Sequence, residues 1–175
     1  MWTATAGSSE VSNPIQKNDD AVGKKKLIID SNLLLLLVIG AVEGGRHIRN
    51  SKRLKKFDIR DYHAVLDVMA NYQEVCITPY IAAEVSNLID LSGYAARLAY
   101  ETARVLFSQF SQIHSDIASD SAPEVFLAYG ITDSSLVRLA TSHTILTDDQ
   151  RLFGALFSAC AKNILPFDVV RKARE

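Results

Sequence analysis

Four short β-rich runs that alternate with stretches of helical character constrain the fold of this chain more than any other feature. Leu27-Ile28-Ile29 closes on Asp30, and the apolar run Leu33–Ile39 begins a helix behind it. Glu74–Ile77 is the second strand candidate. Thr78-Pro79 then opens a helix, since Thr is a good N-cap and Pro fits the first helical position. The apolar stripe of that helix is Ile81, Val85 and Leu88. Thr144–Leu146 is the third strand, with a helix from Asp149 to about Cys160, and Ile164-Leu165 is the fourth. A further helix spans residues 59–71, with Ile59, Tyr62, Leu66 and Met69 near one face. A longer helix is predicted over 94–113, and two shorter ones, Pro123 to Tyr129 and Asp133 to Ser142, are separated at Gly130. This alternation predicts an α/β sandwich with a parallel sheet.

The 175 residues suit one domain. Residues 1–22, polar and without periodicity, read as a flexible N-terminal tail. Residues 23–175 read as a single domain carrying a basic insertion at about 40–60. Nineteen Lys and Arg against twenty Asp and Glu exclude a uniformly basic DNA-coating protein. The charge is uneven, however. Residues 46–60 hold Arg46, Arg49, Lys52, Arg53, Lys55, Lys56 and Arg60 against one acid, Asp58, so the rest of the chain is net acidic. A basic patch on an acidic body points to a polyanionic partner. The longest apolar stretch, Leu33–Ile39, falls far short of the ~20 residues that span a bilayer. Residues 1–22 also lack the apolar core of a secretion signal. These features predict a soluble, cytoplasmic protein without a membrane partner. Cys76 and Cys160 are too few for a disulfide framework and read as buried thiols.

Dinucleotide-binding, P-loop and esterase signatures are missing, and His47, His63, His114 and His143 lack metal-ligand spacing. The acids carry more information. Ligands of open parallel sheets bind outside the carboxyl ends of the strands. Asp30 follows the first strand, and Asp148 and Asp149 follow the third in the same way. Glu84 lies beside the stripe of its helix, and Asp133 opens another. Each acid also has an ordinary reading. Asp30 serves equally as an N-cap, Asp133 as a first-turn acid, Thr147-Asp148-Asp149-Gln150 as a capping box, and Glu84 as a solvated helix residue.

Four motifs bear on the choice: Leu27-Ile28-Ile29-Asp30-Ser31-Asn32, Thr78-Pro79-Tyr80-Ile81-Ala82-Ala83-Glu84-Val85, Gly130-Ile131-Thr132-Asp133-Ser134-Ser135, and Ile145-Leu146-Thr147-Asp148-Asp149. In this order, over residues 26–168, the chain resembles the PIN domain, a family of metal-dependent nucleases. The resemblance implies a three-layer α/β/α sandwich around a short parallel sheet. It implies Asp30, Glu84, Asp133 and Asp149 as catalytic metal ligands, with Asn32, Thr147 and Asp148 in support. Asp148 falls at the variable position of the last motif. The long basic segment and the N-terminal tail depart from the family pattern.

Two charges ~5 Å apart at an effective dielectric of ~20 repel by about 3 kcal/mol, so such a cluster needs protons or a cation. All-oxygen ligation suits Mg²⁺ or Mn²⁺ rather than zinc. The implied activity is hydrolysis of phosphodiester bonds, with single-stranded RNA the favoured substrate and the basic residues from Arg46 to Arg60 positioning its phosphates. Small bacterial members of the family resemble toxins restrained by an antitoxin, so an antitoxin-like partner and a homo-oligomer also enter the expectations. The alternative is a catalytically silent PIN-like scaffold that binds protein or RNA. A haloacid-dehalogenase-like phosphotransferase would place a second Asp where this chain has Asn32.

Overall fold

A computed structural model describes residues 25–174; the tail predicted at 1–22 lies outside the described residues. The first strand, β1 (Lys26–Ile29), buries Leu27, Ile28 and Ile29 completely or nearly so. A central parallel strand is covered on both faces, which is why this run is apolar throughout rather than alternating. β1 pairs with β2 (Glu74–Ile77) on one side and β4 (Thr144–Thr147) on the other. β3 (Ser111–Gln112) adds to β2, and β5 (Ile164–Pro166) adds to β4. The order is β3-β2-β1-β4-β5, all parallel and flanked by helices, a three-layer α/β/α sandwich. Register is supported by charge at the β1–β2 entry, where Lys26 faces Glu74 and pairs with it at 3.4 Å.

Helix α1 (Ser31–Gly40) is apolar on every side, the pattern of a helix buried all round. Its residues Leu33 to Ile39 are at most 2% exposed. It packs against α2 (Ile59–Ala70), α3 (Pro79–Leu88) and α4 (Gly93–Gln109). Gly40 is required at its end, because a Cβ there would stand 2.4 Å from the Tyr62 ring.

The basic connection from α1 to α2 is anchored by a period of three. Val42, Gly45, Ile48, Ser51, Leu54 and Phe57 are all buried. That is the repeat of a 3₁₀ helix, and one such turn forms at Ile48–Asn50, whereas Val42–Gly45 closes through left-handed backbone at Glu43, Gly44 and Gly45. Arg46, Arg49, Lys52, Arg53, Lys55 and Lys56 fall between the anchors, and all but the Lys56 ammonium, which pairs with Asp148, face solvent. Phe57 spends its ring on the core, edge-on to Phe167.

Two expectations need correction. The buried face of α2 is Asp61, Ala64 and Val65, whereas Ile59 and Leu66 are exposed. Asp61 accounts for the rotation. It accepts from the Asp58 N–H in a capping box and pairs with Arg171 at 2.8 Å. The helix predicted to reach residue 113 ends at Gln109, because Phe110 turns extended and β3 follows. After β5 the chain closes on α9 (Phe167–Lys172), seated by the fully buried Phe167. Between β3 and β4 lie α5 (Ile117–Ser121), α6 (Glu124–Tyr129) and α7 (Ile131–Leu139), and α8 (Phe153–Cys160) precedes β5. The break at Gly130 between α6 and α7 falls where predicted, with φ at +84°.

Candidate functional site

In this strand order the connection runs from β1 to β2 on one side, while β4 lies on the other. The crevice at the carboxyl ends of β1 and β4 is therefore the switch point where ligands of such sheets bind. Asp30 leaves β1 at that point, and Thr147, Asp148 and Asp149 leave β4 beside it. Asp30 caps α1 through Oδ1, which accepts from the Leu33 N–H at 2.9 Å. Its Oδ2 accepts from the Asp148 N–H, also at 2.9 Å. The N-cap reading is thus correct but incomplete, since the same carboxyl ties the two strand ends together. Burial, followed by the Asp148 charge, pushes the Asp30 carboxyl up to about 7.

Thr147 is fully buried, and its hydroxyl oxygen accepts from the Asp149 N–H at 3.0 Å while its side chain also hydrogen-bonds Asp30. The capping box expected here does not form; Asp149 itself caps the following turn by accepting from the Arg151 N–H. Two adjacent aspartates then diverge. Asp148 goes inward, its side chain 6% exposed, beside Asp30. Neither of its buried oxygens accepts a hydrogen bond, and the Lys56 ammonium supplies the counter-charge. Asp149 is forked by Arg151, at 3.1 and 2.7 Å, which holds its carboxyl below the usual carboxylate range.

Glu84, on α3, is joined to the first motif by Ser31, whose hydroxyl donates to Oε2 at 2.9 Å. Ser31, not the half-buried Asn32, makes that link. Asp133, in the first turn of α7, is driven up to about 6 by burial, then by the charges of Asp149 and Glu84. The acids therefore form two adjoining groups. Asp30 and Asp148 make one, Glu84, Asp133, Asp149 and Arg151 make the other, and the Lys56 charge reaches both Asp148 and Asp149. Among the described residues, no three His, Cys, Asp or Glu side chains converge closely enough to hold a metal ion. The donor chemistry nevertheless fits a hard divalent cation. All ligands would be oxygen, Asp30 and Asp133 resist ionisation, and the Asp148 carboxylate is buried without hydrogen bonds.

The histidines stay out of this crevice. His47, for example, is buried between Glu43 and Asn50. The basic segment divides by partner. Arg46 pairs with Glu43, Lys56 with Asp148 and Arg60 with Asp58. Among the described residues, Arg49, Lys52, Arg53 and Lys55 form no ion pair and are exposed. Sequence reasoning named the acids but missed Ser31, Arg151 and the inward role of Lys56. Arg151 stands two residues after Asp149, a spacing that carries a signal; the others depend on contacts between distant segments. No described helix is long and apolar enough to cross a membrane. No protein-family model and no curated protein sequence matches the chain.

Proposed function

We propose that this chain is a Mg²⁺- or Mn²⁺-dependent endonuclease of PIN-domain type, acting on single-stranded RNA. The observation that carries the reading is the crowding of carboxylates at the β1–β4 switch point. Burial and mutual repulsion there push Asp30 to about 7 and Asp133 to about 6. Perturbed acids gathered in one crevice are a recurring mark of reaction centres. Asp30, Glu84, Asp133 and Asp149 would hold the cation, and Asp148 joins them through its place beside Asp30. A bound cation of this class supplies a water of lowered pKa and a clamp on a phosphate oxygen. The protein's own residues do the rest. Thr147 and the Leu33 and Asp148 N–H groups fix Asp30, and Ser31 fixes Glu84. Arg49, Lys52, Arg53 and Lys55 offer unpaired cations to the phosphate chain.

A binding module without turnover is the second reading. It is favoured by the ion pairs of Asp148 with Lys56 and Asp149 with Arg151, which already neutralise two of the acids. Incubation of the purified protein with end-labelled single-stranded RNA or DNA, in Mn²⁺ or in EDTA, separates the two. Metal-dependent cleavage of RNA supports the nuclease; metal-independent retention of RNA without cleavage supports the module.

A further inference from the structure

Lys56 differs from the other cations of its segment, because its ammonium turns in to the acids while its neighbours face solvent. It contacts Asp148 Oδ2 and lies 5.1 Å from the centroid of the Phe57 ring. The two partners are unequally covered: the Lys56 side chain is 59% exposed and that of Asp148 only 6%. The carboxylate has no hydrogen bond to replace the ammonium, whereas the lysine can move into water at little cost. The cost of separating the pair therefore falls on the buried carboxylate, which another cation must then compensate. Its consequence is local, because a flexible cation stands on Asp148, the acid held beside Asp30.

We propose that Lys56 is a tethered counter-ion, seated on Asp148 beside Asp30 until a divalent cation displaces it. The proposal rests on the reading of these acids as a cation site. The displaced ammonium has a place to go: Lys56 already lines a cavity of about 380 Å³ with Asp58, Arg60, Asp61, Arg171 and Arg174. Asp58 and Asp61 are held there by Arg60 and Arg171, each at 2.8 Å. Lys56 therefore does not trade Asp148 for an uncommitted acid. It becomes available to a phosphate on the same side of the site.

The test is a titration with Mn²⁺, free ion being read by electron paramagnetic resonance, on wild type and three variants. Lys56→Met keeps the stem and removes the charge, and it should tighten binding roughly threefold to tenfold. Lys56→Arg should bind as wild type does. Lys55→Met loses the same charge from an exposed side chain, so it should change affinity by less than about twofold at physiological salt. Equal affinity in wild type and Lys56→Met overturns the displacement while leaving the metal reading intact. Equal tightening in Lys55→Met and Lys56→Met also overturns it, since the effect is then general electrostatics. No Mn²⁺ binding in any of the four overturns both readings. If Lys56→Met does not fold, nuclear magnetic resonance of wild type decides. The Lys56 ε-carbon signal, assigned by its loss in Lys56→Arg, should shift on Mg²⁺ saturation, and an unmoved signal overturns the proposal.

Discussion

The backbone N–H of Asp148 donates to the carboxylate of Asp30 at 2.9 Å, joining residues 118 apart in sequence at the ends of two neighbouring parallel strands. The two carboxyls are thereby held side by side in a buried place, and one of them resists ionisation as a result.

That resistance makes stability depend on pH. The Asp30 carboxyl is raised from 3.8 to about 7, and Asp133 from 3.8 to about 6. Between these limits the folded chain holds protons that the unfolded chain has released, so the metal-free protein loses stability as pH rises. The loss between about pH 4 and pH 8 should reach a few kcal/mol. Asp149 and Asp58 are lowered by Arg151 and Arg60, so their contribution falls away only on further acidification. Denaturant unfolding without metal should thus find greatest stability near pH 4–5. Asp30→Asn should flatten the decline. At pH 8 it should exceed wild type in stability, and at pH 5 fall below it, because the amide nitrogen cannot accept from the Asp148 N–H. A wild-type profile that is flat from pH 5 to 8 contradicts the buried-acid reading.

Divalent cations should reverse this trend. Ion binding requires ionised carboxylates, so stabilisation by Mn²⁺ should be larger at pH 8 than at pH 5. At a hundredfold excess over Kd it amounts to about 2.7 kcal/mol. Differential scanning calorimetry at the two pH values, with and without Mn²⁺, checks both sign and size. Equal shifts at both would point to weak surface binding elsewhere.

Much of the fold was legible in the sequence because its strands are covered on both faces and its helix starts carry strong caps. Leu27-Ile28-Ile29 and Thr78-Pro79 are examples. β3 was not, since Ser111–Gln112 is too short to show any period. The α2 face was misjudged because Asp61 is buried by a partner 110 residues away, which no local pattern encodes. At the site, the resemblance named the acids and set Asp149 ahead of Asp148, but no local pattern shows which of the two turns inward. Adjacent side chains leave a strand end in different directions, and here the inner one is Asp148. The period of three under the basic segment was present in the sequence, masked by the charges that interrupt it.

The divergence of the two aspartates gives a separable outcome. Asp148→Asn should weaken Mn²⁺ binding about tenfold, the loss of one ionic ligand or close counter-charge. It should also bring Asp30 down toward the ordinary carboxylate range, since a neighbouring charge is removed. Asp149→Asn should leave Asp30 unchanged and instead lower Asp133, whose upward shift owes more to Asp149 than to Glu84. Carbon-13 titration of the carboxyl signals in each variant reads this directly. Identical effects of the two variants on Asp30 would mean the acids are not grouped as described.

The unpaired cations predict a salt effect. Replacing Arg49, Lys52, Arg53 and Lys55 together by Gln should weaken single-stranded RNA binding at every sequence tested. Each lost phosphate contact should flatten the log K against log[salt] slope by about 0.7. Binding is measured in Ca²⁺ to suppress cleavage. An unchanged slope would make the segment an ordinary solvated surface.

One experiment bears on all the acids at once: single-turnover cleavage of end-labelled single-stranded RNA in saturating Mn²⁺, by wild type, Asp30→Asn, Glu84→Gln and Asp133→Asn, each confirmed as folded by circular dichroism. If the carboxylates around the β1–β4 crevice form one reaction centre, every variant should lose roughly a hundredfold or more in rate, comparable to removing one strong electrostatic contact in a transition state. Cleavage by wild type that persists undiminished in all three variants would contradict a reaction centre at this crevice.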